Sequence, residues 1–180
     1  MPGSSKNSTK NPRSFSTKRL HLIPTSGQDA ALVLELLNTP KFIRYVGDRE
    51  VRTLEAARDY ISDRMLPQLE RLGYSNYTLV RKSDGEKIGC CGLYDREGLE
   101  GVDLGFALLP QYEGQGYAYE ASEELMRIAK EVFGISVIMG ITSQDHYVSQ
   151  KLLEKLGMRR SGTVVLPEED EELLVFELRL

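Results

Sequence analysis

The spacing of apolar residues predicts a chain that alternates between strands and helices. In the strand-like runs apolar residues alternate with polar ones or form short blocks, whereas in the helix-like runs they recur every three or four positions. Glycine, proline and Asp-Gly turns separate the runs. The predicted strands are 18–23, 74–80, 87–94, 102–109, 136–141, 158–166 and 173–180, and the predicted helices are 26–37, 53–73, 116–133 and 145–157, with a loop at 40–52.

The order of these segments favours one α/β domain. The strands at 102–109 and 136–141 flank a long helix, and a strand, a crossover helix and a parallel strand form one right-handed unit. The second of these strands is almost continuously apolar, as expected for a strand that is buried on both faces. The strands at 74–80 and 87–94 are joined by an Asp-Gly turn, which predicts an antiparallel hairpin.

The composition suits a globular protein in a reducing compartment. The 180 residues are enough for one domain with a sizeable core, which we assign to residues 18–180. A net charge of −4 argues against a nucleic-acid surface, and no run approaches the ~18 apolar residues of a membrane span. Cys90 and Cys91 are adjacent and cannot form a disulfide framework, so we expect a cytoplasmic protein.

Residues 1–17 differ in composition from the rest of the chain. Serine, asparagine, lysine, threonine and proline dominate, with one phenylalanine and no acidic residue. Such a segment buries too little apolar surface to order itself, so we expect a disordered N-terminal tail. The composition is also similar to an organelle transit peptide, but the amphipathic arginine helix of such peptides is missing.

The stretch 104–121 contains the most informative motif of the chain. An apolar strand is followed by Pro110, by glycines at 114 and 116, and by the start of a helix. The first N–H groups of such a helix have no intrahelical partner and carry partial positive charge, so they favour an anion such as phosphate. A dinucleotide fingerprint would need a small residue in place of Tyr119, and a P-loop would need Gly-Lys-Ser or Gly-Lys-Thr, so neither fits.

This motif resembles the coenzyme A pyrophosphate loop of the GNAT N-acetyltransferase superfamily. That loop has Gln or Arg, two residues, Gly, one residue and then Gly or Ala, and this chain has Gln-Tyr-Glu-Gly-Gln-Gly at 111–116. Residues 18–180 also resemble one branch of the superfamily, the ribosomal-protein alanine and serine N-acetyltransferases. The similar segments are Lys-Arg-Leu-His-Leu at 18–22, Ile-Gly-Cys-Cys-Gly-Leu at 88–93, Asp-Leu-Gly-Phe at 103–106, Gly-Tyr-Ala-Tyr-Glu-Ala at 116–121, Ser149, and Leu-Glu-Lys-Leu-Gly at 153–157.

The resemblance implies a GNAT fold that binds acetyl-coenzyme A as its cosubstrate and uses no metal. In that fold the central sheet is mixed and mostly antiparallel, with about seven strands and about four helices, and one parallel strand pair splays apart at the cofactor site. Main-chain groups of the splayed strand are implied to pair with the pantetheine arm, and loop amides are implied to hold the pyrophosphate. The implied cofactor-binding residues are Ala107, Leu108, Leu109, Gln111, Glu113, Gly114, Gln115, Gly116, Tyr117, Ala118, His146 and Ser149.

The catalytic groups follow less directly from the sequence. Asp103 is the candidate base, because some family members carry a catalytic glutamate on this strand; a solvated strand aspartate is the alternative. The family's usual acid is a tyrosine at the position of Leu153, so Tyr147, Tyr117 or bulk water would have to replace it. His146 stands where this branch usually has asparagine, and it either contacts the pantetheine arm or is a partly exposed helix residue.

The expected acceptor is a primary amine, either a protein N-terminal α-amine or a small amine. An α-amine with a pKa of about 8 is about one-tenth neutral at pH 7, whereas a lysine amine is neutral at only roughly a few parts in ten thousand, so an enzyme for α-amines needs only a weak base. The acidic run at 168–172 is either a solvated turn or a patch that attracts a cationic acceptor. The alternative function, prompted by the missing tyrosine, is an acyl-coenzyme A sensor or interaction module.

Overall fold

Eight strands form one mixed sheet in the computed structural model, which describes residues 12–167 and 169–180. Within these residues no helix is both long enough and apolar enough to cross a membrane. The strands are β1 (Phe15–Ser16), β2 (Leu20–Pro24), β3 (Asn76–Arg81), β4 (Lys87–Tyr94), β5 (Val102–Leu108), β6 (Val137–Thr142), β7 (Arg159–Val165) and β8 (Glu172–Arg179). The α-helices are α1 (Ala30–Leu37), α2 (Pro40–Tyr45), α3 (Leu54–Arg64), α4 (Leu66–Leu72), α5 (Tyr117–Glu131) and α6 (Tyr147–Lys155).

The predicted α/β fold with a mostly antiparallel sheet is confirmed. The strands lie in the order β1-β2-β3-β4-β5-β6-β8-β7, and every neighbouring pair except β5 and β6 is antiparallel. The described residues contain eight strands and six α-helices, against about seven and about four expected. Each difference has a local cause.

The helix α2 lies in the segment 40–52, which was predicted to be a loop. The Thr39 side chain accepts a hydrogen bond from the Phe42 N–H, so it caps the helix. Pro40 occupies the first turn, where the N–H that it lacks would have no intrahelical partner. A threonine followed by proline is thus a start signal strong enough to form a six-residue helix.

The predicted helix at 53–73 is divided into α3 and α4. Thr53 caps α3, and the break falls at Met65, two residues before Pro67. Proline in the first turn of α4 cannot donate to the last turn of α3, so one continuous helix would lose a hydrogen bond there. Gly73 then ends α4 in the left-handed conformation.

The strand β1 corrects the predicted extent of the N-terminal tail. β1 pairs with β2, and the Phe15 ring packs edge-on against Tyr77 and Phe133. One aromatic residue is sufficient to order this part of the segment, because its ring packs against two other rings and its main chain pairs with β2. The folded part therefore begins before residue 18, and residues 1–11 of the predicted tail lie outside the described residues.

Hydrophobic clusters cover both faces of the sheet. On one face Leu104 of β5 packs in a cluster with Leu125 of α5, and on the other Cys90 of β4 packs with Leu36 of α1. Successive strand residues point to opposite faces. Asp103, next to Leu104, therefore lies on the face covered by α1.

The strands β5 and β6 are parallel and separate almost at once. Their last pair joins Asp103 to Met139, one residue beyond the first pair. β5 then continues to Leu108 and β6 to Thr142, each held on its outer side by an antiparallel neighbour. Beyond Asp103 and Met139 the two strands are thus divided by a gap, called here the β5–β6 gap, with unpaired main-chain groups on both sides.

The close approach of β4 and β5 generates a stability prediction. A Cβ on Gly89 would lie 2.3 Å from the Ala107 carbonyl oxygen and 2.9 Å from the Leu108 Cα, and neither main-chain atom can rotate away. We expect Gly89→Ala to lower the free energy of unfolding by about 2 kcal/mol, measured by urea denaturation. The control Gly162→Ala, on the edge strand β7, has no atom within 4 Å of its added Cβ and should change it by less than about 0.5 kcal/mol. Equal effects would contradict the steric explanation.

Candidate active site

The loop between β5 and α5, residues 109–116, leads into a set of unpaired main-chain donors. In the part of the chain that the structure describes, the N–H groups of residues 114–119 donate no hydrogen bond. Gly116 precedes α5 with a φ of 84° and offers no side-chain cap. The 15 residues of α5 add a partial positive charge at this end. The region has both the donors and the charge that a phosphate group requires.

Arg19 holds this loop from the side, which the sequence pattern did not indicate. Its Nη1 donates to the Gln115 carbonyl at 3.0 Å, and its guanidinium lies 4.2 Å from the Tyr117 ring centroid. Its Nε and the Thr17 hydroxyl both donate to the Glu120 carboxylate. Burial opposes ionisation of Glu120, but these hydrogen bonds outweigh burial and lower its pKa. The start of the folded chain is thereby fastened to the first turn of α5.

Alternate residues of β5 present their main-chain groups to the β5–β6 gap. The Leu109 N–H donates to the Ile88 carbonyl of β4 at 3.0 Å. Main-chain groups alternate in direction along a strand, so those of Ala107 also face β4. The groups of Leu108 and Phe106 consequently face the gap. Three residues were implied to pair with pantetheine, and the structure places the main-chain groups of Leu108 at the gap and directs those of Ala107 and Leu109 towards β4. Phe106 also faces the gap and was not among the predicted residues, because the strand register decides this direction.

The opposite wall of the gap is formed by β6. The Leu180 N–H donates to the Ser136 carbonyl at 2.9 Å, so by the same alternation the main-chain groups of Ile141 face the gap. The Thr142 hydroxyl is buried and has no hydrogen-bond partner among the described residues.

Asp103 is buried at the base of the gap. Its side chain is 2% exposed, and its Oδ2 accepts a hydrogen bond from Arg96 Nε. The Ile141 N–H faces the carboxylate without reaching hydrogen-bond geometry, and Oδ1 has no partner within the described residues. Burial raises the pKa of Asp103, and the Arg96 guanidinium opposes that rise. The alternative of a solvated strand aspartate does not apply.

A polar layer covers the sheet beside Asp103. The Tyr94 ring lies against Gly105, where an added Cβ would come within 2.7 Å of it, and its hydroxyl donates to the Asn76 side chain. The Arg96 guanidinium lies 5.0 Å from the Tyr94 ring centroid. Burial raises the pKa of Tyr94 well above its usual value, so this phenol stays neutral. Asp103 is thus surrounded by one cation and by neutral polar groups.

The helix α2 connects the two loops at the open end of the gap. Lys41 pairs with Glu113 of the β5–α5 loop at 2.6 Å, and Arg44 pairs with Asp145, just before α6, at 3.0 Å. Asp145 precedes the N-cap residue His146, and α6 has no side-chain cap. The short helix therefore lies across the end of the gap.

His146 packs against α2. Its ring stacks on Tyr45 with 3.8 Å between the ring centroids and 7° between the planes. Burial and the nearby Lys41 lower the pKa of His146, and Asp145 opposes them, so the ring is neutral at pH 7. The Ser143 hydroxyl donates to the Tyr45 carbonyl at 3.3 Å. The connection between β6 and α6 is thus held to α2 by a stack and a hydrogen bond.

The other predicted residues lie at the starts of α5 and α6. Tyr147, the first residue of α6, is 66% exposed, whereas Ser149 and Tyr117 are buried. Leu153, at the position of the family's usual acid, lies in the main core and provides no proton donor. Each of the remaining residues lies in the β5–α5 loop or in the first turn of α5: Gln111, Glu113, Gly114, Gln115, Gly116 and Ala118. Their binding roles stay predictions.

The acidic run at 168–172 is described only in part, since Glu168 lies outside the described residues. Glu169 lies 3.8 Å from Arg49, and residues 170–172 are exposed. The loop between β4 and β5 meets this segment, because a Cβ on Gly98 would lie 3.2 Å from Pro167. The exposed acidic residues therefore lie close to the loop that carries Arg96.

The conformation of Gly116 generates a prediction for coenzyme A affinity. Its positive φ disfavours any L side chain, and an added Cβ would lie 3.4 Å from the Arg19 guanidinium. We expect Gly116→Ala to weaken coenzyme A binding at least roughly tenfold, measured by calorimetry, because the shifted backbone misaligns hydrogen bonds to a charged group. Gly85→Ala, in the β3–β4 hairpin with a φ of 74°, imposes similar strain far from the loop and is the control. Equal losses of affinity would contradict the role of the loop.

Known proteins resemble this chain over most of its length. Residues 19–159 match a family model described as an acetyltransferase (GNAT) domain. The chain is 24% identical over 149 residues to YoaA of Bacillus subtilis strain 168, which is described as an uncharacterized N-acetyltransferase. The match covers 82% of this chain and 84% of YoaA.

Solved structures agree in fold. An acetyltransferase from Agrobacterium tumefaciens strain C58 superposes with a TM-score of 0.80 at 23% identity, covering 98% of this chain and 99% of that one. RimL, described as a ribosomal L7/L12 alpha-N-protein acetyltransferase in complex with coenzyme A, superposes with a TM-score of 0.79 at 15% identity, covering 93% and 98%. The family match spans the β5–α5 loop, the β5–β6 gap and Asp103, which favours an acetyltransferase over a binding module. The protein therefore belongs to the GNAT family of acetyltransferases.

Proposed function

We propose that the protein transfers the acetyl group of acetyl-coenzyme A to an α-amine, on a small molecule or a protein N-terminus. The observation that carries this proposal is the adjacency of two unpaired sets of main-chain groups. The N–H groups of residues 114–119 suit a pyrophosphate, and the groups along the β5–β6 gap suit an extended chain with amides. Acyl-coenzyme A combines a pyrophosphate with such a chain, the pantetheine arm.

In the proposed reaction the neutral amine nitrogen attacks the carbonyl carbon of the thioester. A C–N bond forms, the C–S bond breaks, coenzyme A leaves as a thiolate, and the nitrogen loses one proton. A main-chain N–H that faces the gap, from Phe106 or Leu108, stabilises the negative charge that develops on the carbonyl oxygen. The protein contributes chiefly by alignment, since the thioester is already activated.

Asp103 is the proposed acceptor of the amine proton. It is a buried carboxylate at the base of the gap, and its Oδ1 has no partner among the described residues. Burial raises its pKa towards that of the amine that it deprotonates, which makes it a better base than a solvated aspartate. An α-amine is already about one-tenth neutral at pH 7, so a base of this strength is sufficient.

Tyr147 is the proposed proton donor to the departing thiolate. It begins α6, beside His146, and its 66% exposure lets the hydroxyl exchange its proton with water. A thiol pKa of about 8.5 makes the thiolate only a weak base, so a strong acid is not required. This assignment replaces the tyrosine that other family members carry at the position of Leu153.

The α-amine acceptor is supported by the chemistry of the base and by the description of one structural neighbour. RimL is described as acting on the α-amine of a ribosomal protein, and at 15% identity its likeness shows the fold alone. A lysine ε-amine, with its higher pKa, would require a stronger base than a carboxylate paired with arginine. We therefore place α-amines first.

Release of free coenzyme A thiol from acetyl-coenzyme A tests the proposed function. The acceptors are peptides with varied first residues, lysine peptides blocked at the α-amine, polyamines and amino acids. We expect turnover with free α-amines and turnover at least roughly tenfold slower with ε-amines at neutral pH, because the ε-amine is much less often neutral. Equal rates would contradict the α-amine preference, and no release with any acceptor would contradict acetyl transfer to amines.

Asp103→Asn removes the proposed base with little change in shape. We expect kcat/KM at neutral pH to fall by about 100-fold. In the wild type, kcat/KM should rise with pH as Asp103 ionises. Burial raises the pKa of Asp103, so this rise should occur at a pH above the usual range for aspartate. The variant should lack the rise. The measurement is the pH profile of thiol release. Asp95→Asn is the control, since Asp95 is an exposed carboxylate paired with Arg71. If Asp103→Asn keeps the rise of kcat/KM with pH, Asp103 is not the base.

A further inference from the structure

Arg96 is the cation that is paired with the candidate base. It lies in the loop just after β4, and its Nε donates to Asp103 Oδ2. Its guanidinium also lies over the Tyr94 ring, 5.0 Å from the centroid. One edge of the guanidinium is thus fixed by a buried carboxylate and one face by an aromatic ring, so the orientation of the group is defined.

The outer end of the same guanidinium is free. Neither Nη atom of Arg96 makes a hydrogen bond to any residue that the structure describes. Neither atom is enclosed, since the Arg96 side chain is 36% exposed while Asp103 is 2% exposed. A guanidinium carries its N–H groups in one rigid plane, and the two Nη atoms together match the two oxygens of a carboxylate.

The free end lies on the α3 side of the sheet, the same face as Asp103. The Tyr60 phenol of α3 is close enough to interact electrostatically with Arg96. Arg96 therefore lies between α3 and the sheet, on the face opposite Leu104 and α5. An amine that reaches Asp103 on this face comes next to the free Nη groups.

We propose that Arg96 binds a carboxylate of the acceptor, so that the acceptor is a small molecule with a carboxylate close to its amine, as in an α-amino acid. The inference rests on the proposed function and narrows its acceptor. Asp103 and Arg96 are in contact, so the amine and the carboxylate that they receive must also lie close together. In an α-amino acid only one carbon separates the carboxylate from the amine, whereas a peptide N-terminus has a neutral carbonyl at that position.

The charges nearby favour a zwitterion over a purely anionic acceptor. The loop that carries Arg96 contacts Pro167, and the exposed acidic residues 170–172 follow three to five positions later in the chain. Their negative potential opposes a multiply charged anion such as a phosphate ester and is balanced by the ammonium group of an amino acid.

Binding of the reaction products tests this inference without turnover. The ligands are N-acetyl-α-amino acids of varied side chain and the matching N-acetyl-α-amino amides, titrated by calorimetry into the protein saturated with coenzyme A. We expect at least one acid to bind roughly tenfold to hundredfold more tightly than its amide, because a bidentate ion pair is lost in the amide. Arg96→Gln should abolish this difference, and Arg96→Lys, which keeps the charge on Asp103 but lacks the planar fork, should retain only part of it.

Arg71→Gln is the matched control. Arg71 is an exposed arginine of α4, and it pairs with Asp95, the residue before Arg96. It should leave the preference for the acid unchanged. Thermal unfolding identifies any variant that fails to fold, and if Arg96→Gln unfolds, Arg96→Lys decides. Equal binding of acids and amides across the panel, or an undiminished preference in a folded Arg96 variant, would overturn the inference. Failure of the proposed function would be seen in a different assay, as the absence of coenzyme A thiol release with every amine.

Discussion

The early separation of β5 and β6 is the constraint on which the rest of the structure depends. Main-chain groups that face a partly dry space without partners are costly, so a fold keeps such a gap only if the strands are held elsewhere. Here the full antiparallel pairing with β4 and with β8 holds each strand from outside. The unpaired inner groups are then available to a ligand that has its own amides. The same geometry brings the start of α5 and Asp103 to the two ends of one gap.

The surroundings of the gap are built from contacts between distant parts of the chain. The β5–α5 loop is held by Arg19 on one side and by Lys41 on the other. The start of α6 is held by Arg44 and by the stack of Tyr45 on His146. Two of these four contacts are ion pairs near the surface, which contribute little to stability one by one. Their effect is to define the relative positions of elements that a ligand would touch.

The sequence predicted those features that depend on local pattern. Apolar periodicity located all seven of the longer strands, and the Gly114 and Gly116 motif located the loop before α5, because strand alternation and turn chemistry are properties of neighbouring residues. Features that depend on register or on contact across the sheet were not predictable in this way. The direction of the main-chain groups of Phe106 depends on the register between β5 and β4. The pairing of Arg96 with Asp103 depends on how the β4–β5 loop folds back. Neither feature can be predicted from the spacing of apolar and polar residues.

The contact between the N-terminal segment and α5 affects the order in which the parts of the protein fold. Thr17 and Arg19 reach Glu120 across 103 and 101 residues of chain. A contact of such long range forms only after most of the intervening chain has been ordered, because the entropy of closing a large loop must first be overcome. We therefore expect the contacts of Thr17 and Arg19 with Glu120 to form late in folding, and the loop that Arg19 holds to reach its final arrangement only then.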